Sequence, residues 1–153
     1  MSWGRMCLVA GLFLTSTICS AQDMAFRAKS KRLKDYPKEL IHEVQWTNID
    51  LRKNRLERFP TEFREFEELE ELRLSRNPMN WPDSLSGFPV LRYLDLWDTD
   101  VATVPVHVQG FDALETLDLR ETYLDEENRA ALEKLFPRAE ILLSERCSCR
   151  PKK

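Results

Sequence analysis

One eleven-residue pattern occurs four times in the chain and constrains its fold more than any other feature. Apolar residues occupy the first, fourth, sixth and eleventh positions of the pattern, and Asn or Thr occupies the ninth. The copies begin at Trp46, Leu69, Leu91 and Leu114, so that successive starts are 23, 22 and 23 residues apart. Self-similarity at this period indicates a solenoid, in which each repeat buries its apolar face against its neighbours.

Each copy of the pattern predicts a short strand followed by a turn. The apolar fourth and sixth positions alternate with polar residues, which is the period of a strand with one buried face. The Asn or Thr follows where the chain leaves the strand, and its side chain can bond to the open backbone of the turn. Thr offers fewer donors and acceptors than Asn, so we expect the turns at Thr99 and Thr122 to be held less tightly than those at Asn54 and Asn77.

The connections between the strands are also regular. Three of them start with an apolar residue and a proline, at Pro60, Pro82 and Pro105, which favours an extended or 3₁₀ conformation over a long helix. A phenylalanine recurs at the end of these connections, and we expect Phe66, Phe88 and Phe111 to form a stacked core column. The last connection, residues 125–135, lacks Gly and Pro and begins with three acidic residues, so it predicts a helix.

The repeat register extends beyond the four evident copies. Shifted back by 23 residues, it places Phe26 and Ala28 beneath Ile49 and Leu51. Shifted forward by 22 residues, it places Phe136, Ala139 and Ile141 above Leu114, Leu117 and Leu119. We therefore predict a capping half-repeat in residues 22–45, four repeats in residues 46–124, and a capping helix with a last strand in residues 125–145.

Over about residues 23–143 these patterns resemble the leucine-rich repeat family, in its form of about 23 residues with a proline after the turn. The resemblance implies a curved α/β solenoid. Its parallel sheet would be concave, its convex segments irregular or 3₁₀, and its single capping helix C-terminal. The cysteine-rich flanking caps of extracellular animal members are absent, and no Asn-x-Ser/Thr glycosylation acceptor occurs. The chain therefore resembles a bacterial exported member of the family.

Residues 1–21 have the pattern of a secretory signal peptide. Arg5 precedes an apolar run from Cys7 to Ile18, and small residues follow at Cys19 and Ala21. The run has 12 residues (7 to 18), whereas a membrane span needs about 20. We expect cleavage before Gln22 and a periplasmic, cell-surface or secreted protein that is not inserted in a membrane. A lipoprotein anchor at Cys19 is the alternative.

The charge of the chain argues against a nucleic-acid partner. The 153 residues carry 23 Lys and Arg against 26 Asp and Glu, for a net charge of −3. Removing the signal peptide takes away Arg5 and no acidic residue, so that 22 minus 26 gives −4. A mixed, mildly acidic chain does not generate the field that attracts nucleic acid.

The register also identifies the residues on the outward face of the sheet. They fall into four columns: Asn48, Glu71, Tyr93 and Thr116; then Asp50, Arg73, Asp95 and Asp118, with Arg27 and Glu140 at the ends; then Arg52, Ser75, Trp97 and Arg120; and, at the strand exits, Lys53, Arg76, Asp98 and Glu121. Strands lie about 4.8 Å apart, so we expect Asp50, Arg73 and Asp95 to form alternating cross-strand ion pairs.

The best candidate for a binding site surrounds two aromatic residues that share one strand and one face. Exposed Tyr and Trp beside Arg are typical of binding hot spots. We predict a partner-binding patch of Tyr93, Trp97, Arg73, Asp95, Arg120 and Asp118. The alternative is a solvated ladder of charges with little energetic weight.

The sequence favours a non-catalytic protein. Asp95 and Asp118 are adjacent, but acid–base catalysis needs burial and a cleft, and we expect them to be solvated. The only histidines, His42 and His107, lie in return segments of different repeats, so we predict no metal site, no catalytic triad and no cofactor. The resulting hypothesis is an exported interaction module that binds a protein or peptide.

Two cysteines in the basic tail, residues 146–153, allow a second hypothesis. Cys147 and Cys149 could form an internal disulfide, remain free thiols or link two chains. Two cysteines alone cannot complete a four-ligand zinc site, although a dimer could supply four. The alternative function is a structural envelope or spacer protein that self-associates through this tail, and the oligomeric state would be a monomer or a weak disulfide-linked dimer.

Overall fold

The computed structural model describes residues 24–37, 40 and 46–145. The predicted signal peptide, His42 and the two tail cysteines, Cys147 and Cys149, lie outside these residues, and their roles stay predictions.

The described residues form a parallel six-stranded sheet, a smaller parallel sheet and an α-helix. Strands of the large sheet follow the order β1-β2-β3-β5-β7-β8, and β4 pairs with β6 in the second sheet. The α/β class and the parallel sheet of the sequence prediction are confirmed. The strands are β1 (Ala25–Arg27), β2 (Asn48–Asp50), β3 (Glu71–Arg73), β4 (Ser84–Ser86), β5 (Tyr93–Asp95), β6 (His107–Gln109), β7 (Thr116–Asp118) and β8 (Glu140–Leu142).

The central residues of the large sheet's strands align in one apolar row. Phe26, Ile49, Leu72, Leu94, Leu117 and Ile141 are consecutive partners across the sheet. Of these, Ile49, Leu72, Leu94 and Leu117 are fully buried and belong to one continuous core. The first and third residues of each strand lie on the opposite side of the sheet, which we call the open face.

Among the described strands of the large sheet, the predicted register is wrong only at the last strand. Ile141 pairs with Leu117 instead of lying above Leu119, and Glu140 pairs with Thr116. Glu140 therefore belongs to the first outward column, and Leu142 follows Asp118 in the second. The physical reason is the helical connection: an α-helix advances only about 1.5 Å per residue, so it needs more residues than an extended segment to reach the next strand.

The connections differ from one unit to the next. A 3₁₀ helix, Thr61–Glu65, follows Pro60, and the short strands β4 and β6 follow Pro82 and Pro105. The last connection is the helix α1, Glu126–Leu135, whose N-cap Asp125 accepts a hydrogen bond from the Asn128 backbone N–H. No helix in the described ranges is long and apolar enough to span a membrane.

Phenylalanines fill the space behind the large sheet. Phe66, Phe88 and Phe111 are buried, as the sequence predicts. The rings of Phe88 and Phe111 lie 5.4 Å apart between centroids, and Phe111 meets Phe136 edge-on at 5.8 Å. Phe136 follows α1 directly, so this aromatic column joins the helix to the repeats.

Buried asparagine side chains tie successive turns together. Asn77 donates to the carbonyl of Leu51 in the preceding unit and to that of Leu74 in its own, and it accepts from the Leu56 N–H. Thr99 donates only to Leu96, and Thr122 only to Leu119, each within its own unit. The asparagines therefore bridge units and the threonines do not, in line with the looser turns that the sequence predicts.

The Met79 amide explains why threonine suffices at position 99. Met79 occupies the repeat position of Leu56, but its N–H donates to the carbonyl of Asn77 within the turn, at 2.8 Å. The side chain at position 99 therefore has no such amide to accept from. No comparable contact accounts for threonine at position 122.

Candidate functional site

The turns that leave the large sheet place one side chain of every unit in a row. Lys53, Arg76, Asp98 and Glu121 all have positive φ angles, of 56°, 58°, 53° and 58°. Left-handed backbone is uncommon for residues other than glycine. Because the same backbone conformation recurs at all four strand exits, the chain leaves each strand in the same direction. The third and fourth outward columns therefore run along one edge of the open face.

Aspartates on two of the strands pair with an arginine two residues further along the same chain. Arg52 donates to both carboxylate oxygens of Asp50, at 2.8 and 2.6 Å, and Arg120 donates to both oxygens of Asp118, at 2.9 and 2.6 Å. Burial alone would raise the pKa of Asp50, but the hydrogen bonds from Arg52 outweigh it and hold the pKa below its usual value.

The predicted cross-strand ladder of Asp50, Arg73 and Asp95 is wrong. Arg73 pairs with Glu71 on its own strand, at 2.9 Å, and among the described residues its buried Nε has no hydrogen-bond partner. The reason is competition for the carboxylates: Asp50 is bonded to Arg52, and Asp95 is bonded to the Ser75 hydroxyl and the Trp97 N–H, so Arg73 pairs with Glu71. Thus Asp50, Glu71 and Asp118 each pair with an arginine two residues further along the chain.

Asp95 is the exception, because Trp97 occupies the position where an arginine follows Asp50 and Asp118. Its carboxylate accepts hydrogen bonds from the Ser75 hydroxyl at 2.7 Å and from the Trp97 backbone N–H at 3.1 Å. Only 6% of the residue is exposed. Burial, together with the neighbouring Asp118 carboxylate, raises the pKa of Asp95 above its usual value. The expectation that Asp95 and Asp118 are solvated is therefore wrong.

Tyr93 and Trp97 are half-buried, whereas the sequence predicts them to be exposed. Arginine side chains cover both rings: Arg73 Cζ lies 5.5 Å from the Tyr93 centroid, and Arg76 Cζ lies 4.3 Å from the Trp97 centroid. Burial, followed by the charges of Asp95 and Asp118, raises the pKa of the Tyr93 phenol, which therefore stays neutral at physiological pH.

A depression of about 350 Å³ opens between these groups on the edge of the open face. Its cationic lining consists of Lys29, Arg52, Lys53, Arg76 and Arg120, and its other lining residues are Ser75, Tyr93, Asp95, Trp97 and Asp118. Five of the six residues of the predicted patch thus meet here. The sixth, Arg73, is placed over the Tyr93 ring and lines a smaller depression with Asp50 and Glu71.

Sequence reasoning left half of the lining unassigned. Arg52, Ser75, Lys53 and Arg76 stood in the outward columns, so the columns held a signal that could have found them. Lys29 precedes Arg52 by 23 residues and occupies the same column. Within the described part of the chain, no group of three or more His, Cys, Asp or Glu residues is arranged to hold a metal ion.

Comparison with known proteins identifies the type of fold. No protein-family model matches the sequence, and no curated protein is similar to it. A leucine-rich repeat protein of Leptospira interrogans has a similar structure, with a TM-score of 0.62 over 71% of this chain and 23% identical residues. The fold is leucine-rich-repeat-like. The match spans only 28% of the Leptospira protein, and at this level of identity it concerns the fold alone.

Proposed function

We propose that this chain is an exported, non-catalytic interaction module that binds a protein or peptide on the open face, around Tyr93 and Trp97. The observation that carries the proposal is the depression, which is lined by both aromatic residues and by five cationic side chains. Tyr, Trp and Arg are the residue types that dominate binding energy at protein interfaces. A curved sheet, as in other leucine-rich repeats, would place this face on the concave side of the solenoid.

Rigid positioning supports a binding role for this face. The side chains of the depression project from strands and strand exits whose backbones are bonded to the next unit, including Lys53 N–H to Ser75 and Arg76 N–H to Trp97, at 2.9 Å each. A site on fixed backbone loses little conformational entropy when a partner binds, and this raises affinity for a given contact area.

The state of the two buried carboxylates supports a non-catalytic role. Both oxygens of Asp118 accept hydrogen bonds from Arg120, and Asp95 accepts from Ser75 and Trp97. A general base must be within reach of a substrate proton, whereas these oxygens are committed to neighbouring groups at the floor of the depression.

Affinity capture tests the binding role. The wild-type protein, a Tyr93→Ala/Trp97→Ala variant and a Tyr123→Ala control would be immobilised and exposed to an extract of the source cells. Tyr123 is an exposed tyrosine outside the depression, so it controls for the loss of an aromatic side chain. The captured partner would then be purified and its affinity measured for each variant.

We expect the double variant to weaken binding by at least about 30-fold, the loss associated with hot-spot residues, while the control binds as the wild type does. Circular dichroism and thermal unfolding would show that both variants remain folded. Equal affinity of the double variant and the wild type would refute the open-face site.

Export is tested separately, by expressing the full chain in a bacterium with a general secretory pathway. The signal-peptide pattern of residues 1–21 leads us to expect a processed protein outside the cytoplasm, with Gln22 as its N-terminal residue by mass spectrometry. Unprocessed protein in the cytoplasm would refute export.

A further inference from the structure

The depression reverses the charge of the chain locally. The whole chain has a net charge of −3, but five cationic side chains line the depression against two carboxylates, Asp95 and Asp118. Taken alone, the lining therefore has a formal charge of +3, from five minus two.

The carboxylates lie deeper in the depression than the cationic side chains do. Only 6% of Asp95 and 2% of Asp118 are exposed, so both carboxylates form the floor. The cations form the rim: the Arg76 and Arg120 side chains are 41% and 52% exposed, and Lys53 is exposed as well. An approaching ligand therefore meets the cations first.

Arg76 is oriented before any ligand arrives. Its guanidinium is placed over the Trp97 ring, and its Nε lies 3.7 Å from the exposed carboxylate of Asp98, beyond hydrogen-bond distance. A guanidinium whose face rests on a ring still presents its N–H edge, which matches a carboxylate with two parallel hydrogen bonds. Lys53 forms no ion pair with any residue in the described ranges and can add a second cation.

On the basis of the proposed function, we infer that the partner presents an acidic peptide segment whose carboxylates bind Arg76 and Lys53 on the rim of the depression. The aromatic walls, Tyr93 and Trp97, would contact the apolar part of the same segment. Charge complementarity carries this assignment, because Arg76 has no carboxylate within hydrogen-bond distance and Lys53 forms no ion pair among the described residues, so both can bind the carboxylates of a ligand.

The limited extent of the rim favours a short acidic segment over a long polyanion. Arg76 is followed along the row of strand exits by Asp98 and Glu121, both exposed. A polysaccharide or nucleic acid running along this row would meet those carboxylates, and such chains need an extended stripe of cations. One or two carboxylates of a peptide can bind between Lys53 and Arg76 without approaching Glu121.

Direct binding of synthetic peptides tests the inference. A fluorescent oligoglutamate and an oligoglutamine of equal length would be titrated with wild-type protein, a Lys53→Gln/Arg76→Gln variant and an Arg64→Gln/Lys134→Gln control. The control removes two exposed cations elsewhere, on the 3₁₀ helix and on α1, and so has the same net charge as the test variant. Anisotropy gives the affinities.

We expect oligoglutamate to bind and oligoglutamine not to bind. The Lys53→Gln/Arg76→Gln variant should weaken oligoglutamate binding by at least about tenfold, and the charge-matched control by less than about twofold. Binding should also weaken as salt rises from about 0.01 M to about 1 M, because the rim cations are exposed and therefore screened.

Three results would refute the inference that the partner presents an acidic segment. They are no binding of oligoglutamate, equal weakening of its binding by the test and control variants, or tighter binding of heparin or single-stranded DNA that the Lys53→Gln/Arg76→Gln variant weakens. If one of these occurs while capture of the native partner still depends on Tyr93 and Trp97, the interaction function stands and only the partner's chemistry is wrong. If that dependence is lost too, the proposed function fails as well.

Discussion

The guanidinium of Arg76 covers the ring of Trp97, with Cζ 4.3 Å from the ring centroid, and the two residues belong to adjacent units. Their backbones are also joined, since the Arg76 N–H donates to the Trp97 carbonyl at 2.9 Å. The contact thus links two strand exits at the depression and fixes a partly exposed cation of the site against its largest ring.

This contact predicts a measurable coupling between the two side chains. A double-mutant cycle with Arg76→Met and Trp97→Leu should give a coupling of about 0.5–1 kcal/mol in the free energy of unfolding, the range of a partly exposed cation–π pair. Urea denaturation at high salt would screen the neighbouring Asp98 charge. Arg64→Met with Trp97→Leu serves as the distant pair and should be additive; additivity of both pairs would contradict the prediction.

Asp95→Asn should change the pH dependence of stability. The folded-state pKa of Asp95 is raised, so the native state holds this proton to a higher pH than the unfolded state does. Stability therefore falls as pH rises from the unfolded pKa through the folded pKa, and stays lowered at neutral pH. An amide can still accept from the Trp97 N–H and donate to the Ser75 hydroxyl, so Asp95→Asn should remove this fall and stabilise the protein at pH 7.

Asp50→Asn is a control, because this substitution should change the pH dependence of stability in the opposite direction. The folded-state pKa of Asp50 is lowered by its bonds with Arg52, so its ionised form stabilises the fold above the unfolded pKa, and the gain is lost as pH falls through the folded pKa. This variant should be less stable than the wild type at pH 7. Melting temperatures measured from acid to neutral pH would distinguish the effects of the two variants. If melting temperature depends on pH in Asp95→Asn as it does in the wild type, the pKa of Asp95 is not raised.

Removing the bridging asparagine should cost more than removing the neighbouring threonine. Asn77→Ala leaves the Leu51 and Leu74 carbonyls and the Leu56 N–H without their side-chain partner, whereas Thr99→Ala affects only the Leu96 carbonyl. From the cost of buried unsatisfied groups, we expect losses of about 2–4 kcal/mol for Asn77→Ala and about 1 kcal/mol for Thr99→Ala. Chemical denaturation measures both, and equal losses would argue against bridging between units.

The repeat period was sufficient to predict most of the sheet. In a stack of similar units, residues one repeat apart become strand partners, so the spacing alone aligns Phe26 with Ile49 and Leu94 with Leu117. The same rule fails at Ile141, because it assumes that each connection covers the same distance per residue and the last one is helical.

The sequence could predict which residues line the candidate site, but it could not predict the contacts between their side chains. Column positions identified five lining residues, because the side of a strand on which a residue lies follows from alternation. Which carboxylate an arginine reaches depends on side-chain rotamers, and the period holds no information on these. For the same reason the sequence did not indicate that Arg76 covers Trp97 or that Asp95 is buried.

Trp97 stands where the units of Asp50 and Asp118 have an arginine, and one base change can turn a tryptophan codon into an arginine codon. Trp97→Arg would give Asp95 the ion pair that Asp50 and Asp118 already have, and would remove a wall of the depression at the same time. Random mutagenesis followed by selection for thermal stability alone should therefore recover this substitution. Trp97 thus forms a wall of the depression in place of an ion pair that two of the other units have, which is a trade-off between stability and the proposed binding.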